Sequence, residues 1–574
     1  MSMYPQRFIR ILPFLVIPFI LVLPQLITRN LILGSDALFH FNRFYDCGMQ
    51  IKTGNFQYFV SYYGFQQSAR IVNAFYGPAF AYFHGGLVIL AGTWFAYQVV
   101  ANYVLYGLAM VAMHLFLRKL QVPWCWSLLL SVSFLTTYAI QYWVIRQGFS
   151  SWGAALFPLC LIPVIEFLES GRFPVRNSAL ALSLMVQVHL FTALLLTLVY
   201  FGAFCVQFLR SHERARLLKE ATLAGFLFFC LSGNFLGTLF YLYENNRLVA
   251  PFVNSRMDLN TITANSYYWL LNPLWLVPFL VFGVYLWKKQ GRVQMKEILM
   301  PFFLYSGSFF VLLSSGAIPW QTLLATGNSL VTLIQFPFRF FVPATVLLWS
   351  FMGLVIHRRG RRGYFVLLIL TLIALTQALG LSFYTLHQWS GEQPFYGEVK
   401  HVVVHCKDLQ KVKASFYSRD LAKALKLVTK ATPDYLPRYE SNSKVKGSNP
   451  YEQYQRAIIN ENEVFQKRVE GGQLEITWLG KESGWRDVPV IYYKNTQLRD
   501  SVGRSISFYV TDSGTVRVKE HAGENRLRLS FKPPIFFWIS LISSGVTVLL
   551  LLLSFLDFKK TSLIFGKSSI LDLR

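Results

Sequence analysis

Eleven apolar runs dominate this chain, at 11–27, 78–117, 124–142, 152–168, 179–208, 222–243, 267–287, 298–313, 338–356, 364–381 and 534–556. A helix needs about 20 apolar residues to cross the hydrocarbon core of a bilayer, and most of these runs approach or exceed that length. Within lipid, every backbone N–H and C=O must be bonded inside its own segment, so spans of this kind are helices. Basic clusters punctuate the runs: Arg118-Lys119, Arg172 with Arg176, residues 210–219, 288–296 and 358–362, and Lys559-Lys560. The positive-inside rule puts those clusters in the cytoplasm and the loops opposite them outside.

Only 14% of the residues are charged, against about a quarter in soluble domains, and 17% are aromatic. The net charge of +26 does not indicate nucleic acid, because the basic residues sit in short runs between apolar spans. Arg7 and Arg10 precede the first apolar run as in a signal peptide, but no small-residue cleavage site follows, so this run reads as a retained helix. The six cysteines form no CxxC pair; Cys47 and Cys406 would both be external, so a disulfide between them is conceivable.

Parity constrains the two longest runs. Residues 179–208 fit a tight hairpin with His189 near its outer turn. Residues 78–117 must cross an odd number of times, which one span plus a re-entrant or interfacial helix would satisfy. The expected fold is mainly α, a polytopic transmembrane bundle of about 11–14 helices. Its membrane domain covers 1–381, with a first external loop at 28–77. Residues 382–533 form an extracytoplasmic α+β domain, 534–557 a last transmembrane helix, and 558–574 a cytoplasmic tail.

The stretch between Ser390 and Pro533 carries 24 basic and 17 acidic residues, an ordinary soluble composition. Helix-like spacing covers 415–430. Alternating segments follow at 473–478, 488–493, 505–510, 515–518 and 525–531, separated by turn signals at Gly471-Gly472 and 512–514, which reads as a β-sandwich. His401 and His405 stand four apart beside Cys406, a metal-like spacing on what reads as a strand edge.

Charge near a membrane is costly unless it meets water or a partner. Residues 1–389 contain nine carboxylates, and five of them flank the cytoplasmic basic clusters. Outside remain Asp36, Asp46, Glu244 and Asp258. Asp36, His40 and Arg43 share one face of a helix that follows the first span at once. A carboxylate, an imidazole and a guanidinium side by side suit transfer from a phosphorylated lipid. The same spacing also suits a helix-start acid with purely local partners. Arg43, Arg70, Arg146, Arg256 and Arg339 are candidate phosphate contacts. His189 is an ionisable group in the middle of an apolar run.

The order of a first helix, Asp36 in a D-x-x-x-H-x-x-R segment, an aromatic-rich loop and then Tyr76-Gly-Pro-Ala-Phe80 resembles the GT-C superfamily of membrane glycosyltransferases. Within it, the chain is similar to the bacterial group called "6-pyruvoyl-tetrahydropterin synthase related" membrane proteins. Arg146-Gln147-Gly148, Val188-His189, the 335–339 segment ending in Arg339, Asp434-Tyr-Leu-Pro437 and 489–493 extend the likeness along nearly the whole chain. Members often carry Arg-Gly-Ala and then a Glu after the Arg146 position; here Gln147 and residues 152–154 offer no acid, which puts that Glu's role in doubt. The resemblance implies a sugar donor on polyprenyl phosphate, used at the outer leaflet, and an envelope glycan or polymer as acceptor. It makes Asp36 the catalytic residue, as general base or as the group that orients the acceptor hydroxyl; the substrate-binding candidates beside it are His40, Arg43, Arg70, Arg146, His189, Arg256 and Arg339. Some members hold a divalent metal, Mg or Mn; with so few external acids here, Asp36 with Asp46 or Asp258 could share one, but an obligatory metal is not expected. The competing readings are a flippase for lipid-linked glycan, disfavoured because the polar groups concentrate in external loops rather than at the midplane, and an envelope scaffold, for which Asp36 would be freely replaceable.

Overall fold

The structure is a computed structural model that describes residues 4–249, 252–263, 281, 283–285, 287, 288, 298–395, 401–439 and 449–564. The chain is mostly helical. Among the described residues, nine helical segments are long and apolar enough to cross a membrane: Ile9–Thr28, Trp94–Lys119, Trp124–Arg146, Ser150–Ser170, Leu190–Arg210, Arg214–Asn245, Pro337–Ile356, Gly360–Ser390 and Ile535–Ser554. The run at 267–287 lies almost wholly outside the described residues, as do 565–574 of the tail.

Both long runs are broken, for local reasons. In 78–117, α3 (Pro78–Ala91) ends at Gly92, whose φ of 72° suits a residue without Cβ. Thr93 then starts α4 (Trp94–Lys119), its side chain accepting from Ala96 N–H. At 14 residues α3 is about 21 Å long, short of the hydrocarbon thickness, so the run holds one full span and one short helix. In 179–208 the break is at His189, between α9 (Val175–Val188) and α10 (Leu190–Arg210). The helix Phe341–Ile356 is buried at every position, which marks it as central to the bundle.

The first loop is well structured. It contains α2 (Ala37–Thr53), twelve of whose residues are buried although its composition is mixed. The C-terminal region folds as two small antiparallel sheets: β3 (Gln466–Glu470), β4 (Gln473–Gly480), β9 (Gly523–Phe531) and β6 (Thr496–Arg499) in that order, and β5 (Gly484–Ile491), β8 (Thr515–Glu520) and β7 (Phe508–Val510). A two-stranded ladder, β1 (Val402–Val404) with β2 (Val428–Lys430), precedes them. Alternation locates five of the seven strands in the two larger sheets; β3 and β6 are additions. Of the helix expected over 415–430 only Leu421–Leu427 forms, followed by β2 and preceded by a second short helix, Leu409–Ser415. The side chains of Asp408 and Asp420 cap them, and the β-branched Val428-Thr429 pairs with Val404 and Val403.

One apolar cluster joins the two sheets to the first loop: Leu474, Ile476, Val518 and Leu527 pack in a group that also takes in Phe59, Val60, Ile71 and Phe75, with Phe537 of the last helix. The sheets are therefore fused to the membrane half through shared core.

Candidate functional site

The site forms where the start of α2 meets the end of α6 (Tyr138–Arg146) and the strand β2. Gly34 N–H donates to Gln147 Oε1 at 2.6 Å, and Asp36 N–H donates to the Arg146 carbonyl at 3.3 Å. A Cβ on Gly34 would lie 2.5 Å from Arg146 Cα, so glycine is required for this approach. Asp36 occupies the N-cap position of α2, yet its carboxylate makes no cap bond. An N-cap acid ordinarily accepts from the second or third helical N–H; here the carboxylate is left for other partners. Those in electrostatic reach are Lys430, Asp434, Arg339 and Arg146. Burial pushes the Asp36 carboxyl above its usual range and Asp434 adds to the rise, against the pull of the three cations.

His40 and Arg43 stand one turn further on. Arg43 Nη1 lies 3.2 Å from His40 Nδ1. A guanidinium can only donate, so Nδ1 is the acceptor, and in the neutral ring the proton sits on Nε2. Burial, and then the charge of Arg43, holds His40 well below the usual imidazole range. Its ring stacks on Phe149 at 4.9 Å. Arg43 is fully buried and has no carboxylate partner among the described residues. Its Nε donates to Asn73 Oδ1 at 3.1 Å and its Nη2 to the Tyr76 carbonyl at 3.3 Å, and it lies 4.3 Å from the Tyr76 ring centroid. Three of its five N–H groups are thus used in holding His40 and the 73–76 turn. Expected as a phosphate contact, Arg43 is placed instead as a support.

The C-terminal region supplies the other wall. Lys430 Nζ donates to the carbonyl of Ser35, immediately before Asp36. Arg70, also fully buried, donates through Nη1 to the Thr432 carbonyl at 2.7 Å and Oγ1 at 3.1 Å, and through Nη2 to the Asp434 carbonyl. These two cations clamp residues 430–434 against the first loop. Arg70, too, is a clamp rather than the ligand contact expected. Tyr435 follows at φ 64°, a costly conformation for a bulky residue. It is held by the stacking of its ring on Phe75 at 4.5 Å and by Tyr493 Oη donating to its carbonyl at 2.9 Å. Asp434 is raised by burial, opposed by Arg70 and Lys430.

The remaining expected residues divide. Arg146 and Arg339 are at the site; Arg339 Nη1 donates to Gln335 Oε1 at 2.9 Å. His189 caps α10, accepting on Nδ1 from Thr192 N–H at 3.3 Å, and it too stands at the site, within electrostatic reach of Arg339, Arg43 and His40. Arg256 is on the surface, its side chain 61% exposed and paired with Asp258 at 3.1 Å. Asp46 is buried ten residues along α2, accepting from the N–H groups of Tyr63 at 2.9 Å and Gly64 at 3.3 Å and from Gln50 at 2.8 Å. The three acids that could have shared a metal therefore have separate surroundings. Among the described residues no three His, Cys, Asp or Glu side chains gather, and the charges in reach of Asp36 are three cations and one acid, Asp434, a set that does not fit a divalent ion. His405 Nε2 meets Thr429 Oγ1 at 3.1 Å while His401 stacks on Tyr451, so these two do not form a metal pair; Cys47 and Cys406 are both free.

Lys430 and Asp434 were hidden in the sequence by their ordinary soluble surroundings; Asp434 was marked only within the 434–437 motif. Comparison of the chain with protein-family models, with curated proteins and with solved structures gives no match.

Proposed function

We propose that this chain is a membrane glycosyltransferase of the GT-C kind, moving a sugar from a polyprenyl-phosphate donor to a cell-envelope acceptor. The observation that carries the reading is the Asp36 carboxylate, released from capping and set among Lys430, Arg339 and Arg146. In the transfer, Asp36 takes the proton of an acceptor hydroxyl as its oxygen bonds to the anomeric carbon. The bond from that carbon to the phosphate oxygen breaks, and the leaving phosphate keeps the electron pair. Cations fixed beforehand stabilise the charge that develops there, and that preorganisation lowers the barrier. His40, neutral with its proton on Nε2, is suited to donate a hydrogen bond to a donor or acceptor oxygen. The basic clusters favour a topology in which the sheet region, and this site with it, face away from the cytoplasm.

The test is transfer from a synthetic polyprenyl-phosphate sugar by the full chain in nanodiscs, read by mass spectrometry of the lipid and of envelope polymer. Asp36→Asn should lose about a hundred- to ten-thousandfold in rate while keeping its elution profile and melting temperature. Unchanged transfer in that variant would remove Asp36 from the mechanism.

A further inference from the structure

A second polar site lies on the seam between the first loop and strand β3. An open cleft of about 470 Å³ is lined by Asn55, Tyr63 and Gln67 on the loop side and by Lys467, Arg468 and Gly472 on the sheet side. Gly471 and Gly472, at φ 56° and 76°, make the tight β3–β4 turn and leave bare backbone at the rim.

The informative group is Lys467. Its Nζ donates to the carbonyls of Gln66 at 2.9 Å and Pro489 at 2.8 Å, which occupies two of its three N–H groups. Among the described residues no carboxylate pairs with it. The residue keeps part of its surface at the cleft, but its ammonium is desolvated, and this burial alone pulls it down to about 7. A desolvated cation without a counter-charge is unfavourable, and the residue that carries this one lines the cleft. Arg468, next along the strand, points to its opposite face, where it is exposed and has no ion pair among the described residues.

The acids nearby are mostly committed. Glu475, across the ladder from Arg468, is held by Arg528 at 3.0 Å and Arg526 at 3.8 Å. Asp46, behind Tyr63, is bonded to loop amides. Glu470 is exposed on the same strand as Arg468, two residues on. From β5 only the Pro489 carbonyl meets the ammonium, and Tyr454 meets the loop at Gln66 Oε1. The cleft therefore presents positive charge beside neutral amides and a phenol.

We infer that this cleft binds an anionic group, a phosphate or carboxylate borne on a hydroxylated chain. Lys467 supplies charge and its third N–H, and Asn55, Gln67 and Tyr63 take the hydroxyls. The inference does not depend on Asp36 transferring a sugar. An anion seated here keeps Lys467 protonated, so binding is linked to proton uptake.

The experiment titrates the full chain, in phospholipid-free detergent, with a glycerol-phosphodiester oligomer and with a neutral malto-oligosaccharide of equal length. The phosphodiester does not itself titrate near neutrality, so any pH dependence belongs to the protein. Wild type should bind the phosphodiester about tenfold more tightly at pH 6 than at pH 8, as expected for a lysine titrating at about 7, and the neutral oligomer weakly at both. Lys467→Met should weaken binding at pH 6 and abolish the pH dependence. Asn55→Asp, which leaves the bonds of Lys467 intact, should weaken binding in a chain of unchanged melting temperature. In nanodiscs, Lys467-dependent displacement of the oligomer by phosphatidylglycerol identifies a lipid headgroup as a source of the same anion, and absence of displacement identifies a free polymer. Equal affinity in Lys467→Met and wild type, or equal binding of the neutral oligomer, overturns the inference.

Discussion

Lys430 on β2 donates to the main-chain carbonyl of Ser35, almost four hundred residues earlier in the chain. The same ammonium is within electrostatic reach of Asp36. One side chain thus joins the C-terminal region to the start of α2 and tunes the carboxylate there. Replacing it by Met removes both effects. Transfer by Lys430→Met should fall at least about tenfold, while thermal stability in detergent drops by about 1–3 kcal/mol for one lost charged hydrogen bond. Equal transfer rates would place Lys430 outside the chemistry.

The pH dependence of transfer follows from the neighbours of Asp36. In the proposed transfer Asp36 acts in its base form, and burial with Asp434 raises the carboxyl, so the rate should fall as pH drops through that raised value. Asp434→Asn removes a like charge and should shift the acid limb of kcat/KM to lower pH. Lys430→Met removes an opposite charge and should shift it to higher pH. Profiles that coincide for all three proteins would contradict the coupling.

Arg70 has a structural duty that can be separated from chemistry. Arg70→Leu strands the carbonyls of Thr432 and Asp434 and should cost about 2–5 kcal/mol. Limited proteolysis should then cut near 430–440 well before the rest of the chain. Arg70→Lys should recover only part of the loss, because one ammonium does not reproduce the geometry of the guanidinium fork.

Asp46→Asn tests the acid that lies away from the site. Gln50 Oε1 already accepts from Gln57 N–H at 2.9 Å and Tyr82 Oη at 2.6 Å, so the Gln50 amide is fixed with its N–H toward Asp46. An asparagine NH₂ turned toward Gln50 would face another donor. A loss of about 1–3 kcal/mol in melting experiments is expected, with transfer per folded molecule unchanged.

Gly34→Ala tests the approach of α2 to α6. The added methyl would meet the Arg146 backbone, which cannot move aside as a side-chain tip can. Transfer should fall about a hundredfold, as a displacement of about 1 Å at a reacting group can cause, with little change in the amount of protein in the membrane.

The long apolar helices were legible because an unbroken apolar run of about 20 residues can bond its whole backbone within itself as a helix. The strands were legible where alternation was strict, as at Gln473–Gly480 and Gly523–Phe531. Of the expected site, Asp36, Arg146 and Arg339 come together, whereas Arg43 and Arg70 turn inward. An isolated arginine in sequence does not say whether its partner is a ligand or a carbonyl; for Arg70 that carbonyl belongs to Asp434, 364 residues away. Lys430 was illegible for the same reason, since its meaning comes from Ser35. The break at 427–428 was missed because leucine spacing masked the caps at Asp408 and Asp420 and the switch to β-branched residues.

The core shared by the first loop and the sheets also sets a timetable. Phe59, Ile71 and Phe75 leave the ribosome early, but Leu527, Leu529 and Phe537, which cover them, come some 450 residues later. At about 5–20 residues per second that delay is on the order of 25–90 s. Throughout it the aromatic face of the loop stands uncovered beside the half-built bundle. Folding of this protein must therefore be completed from its far end, and a ribosome stalled before β9 would leave a membrane-inserted chain with an exposed adhesive loop, a natural substrate for quality-control proteases.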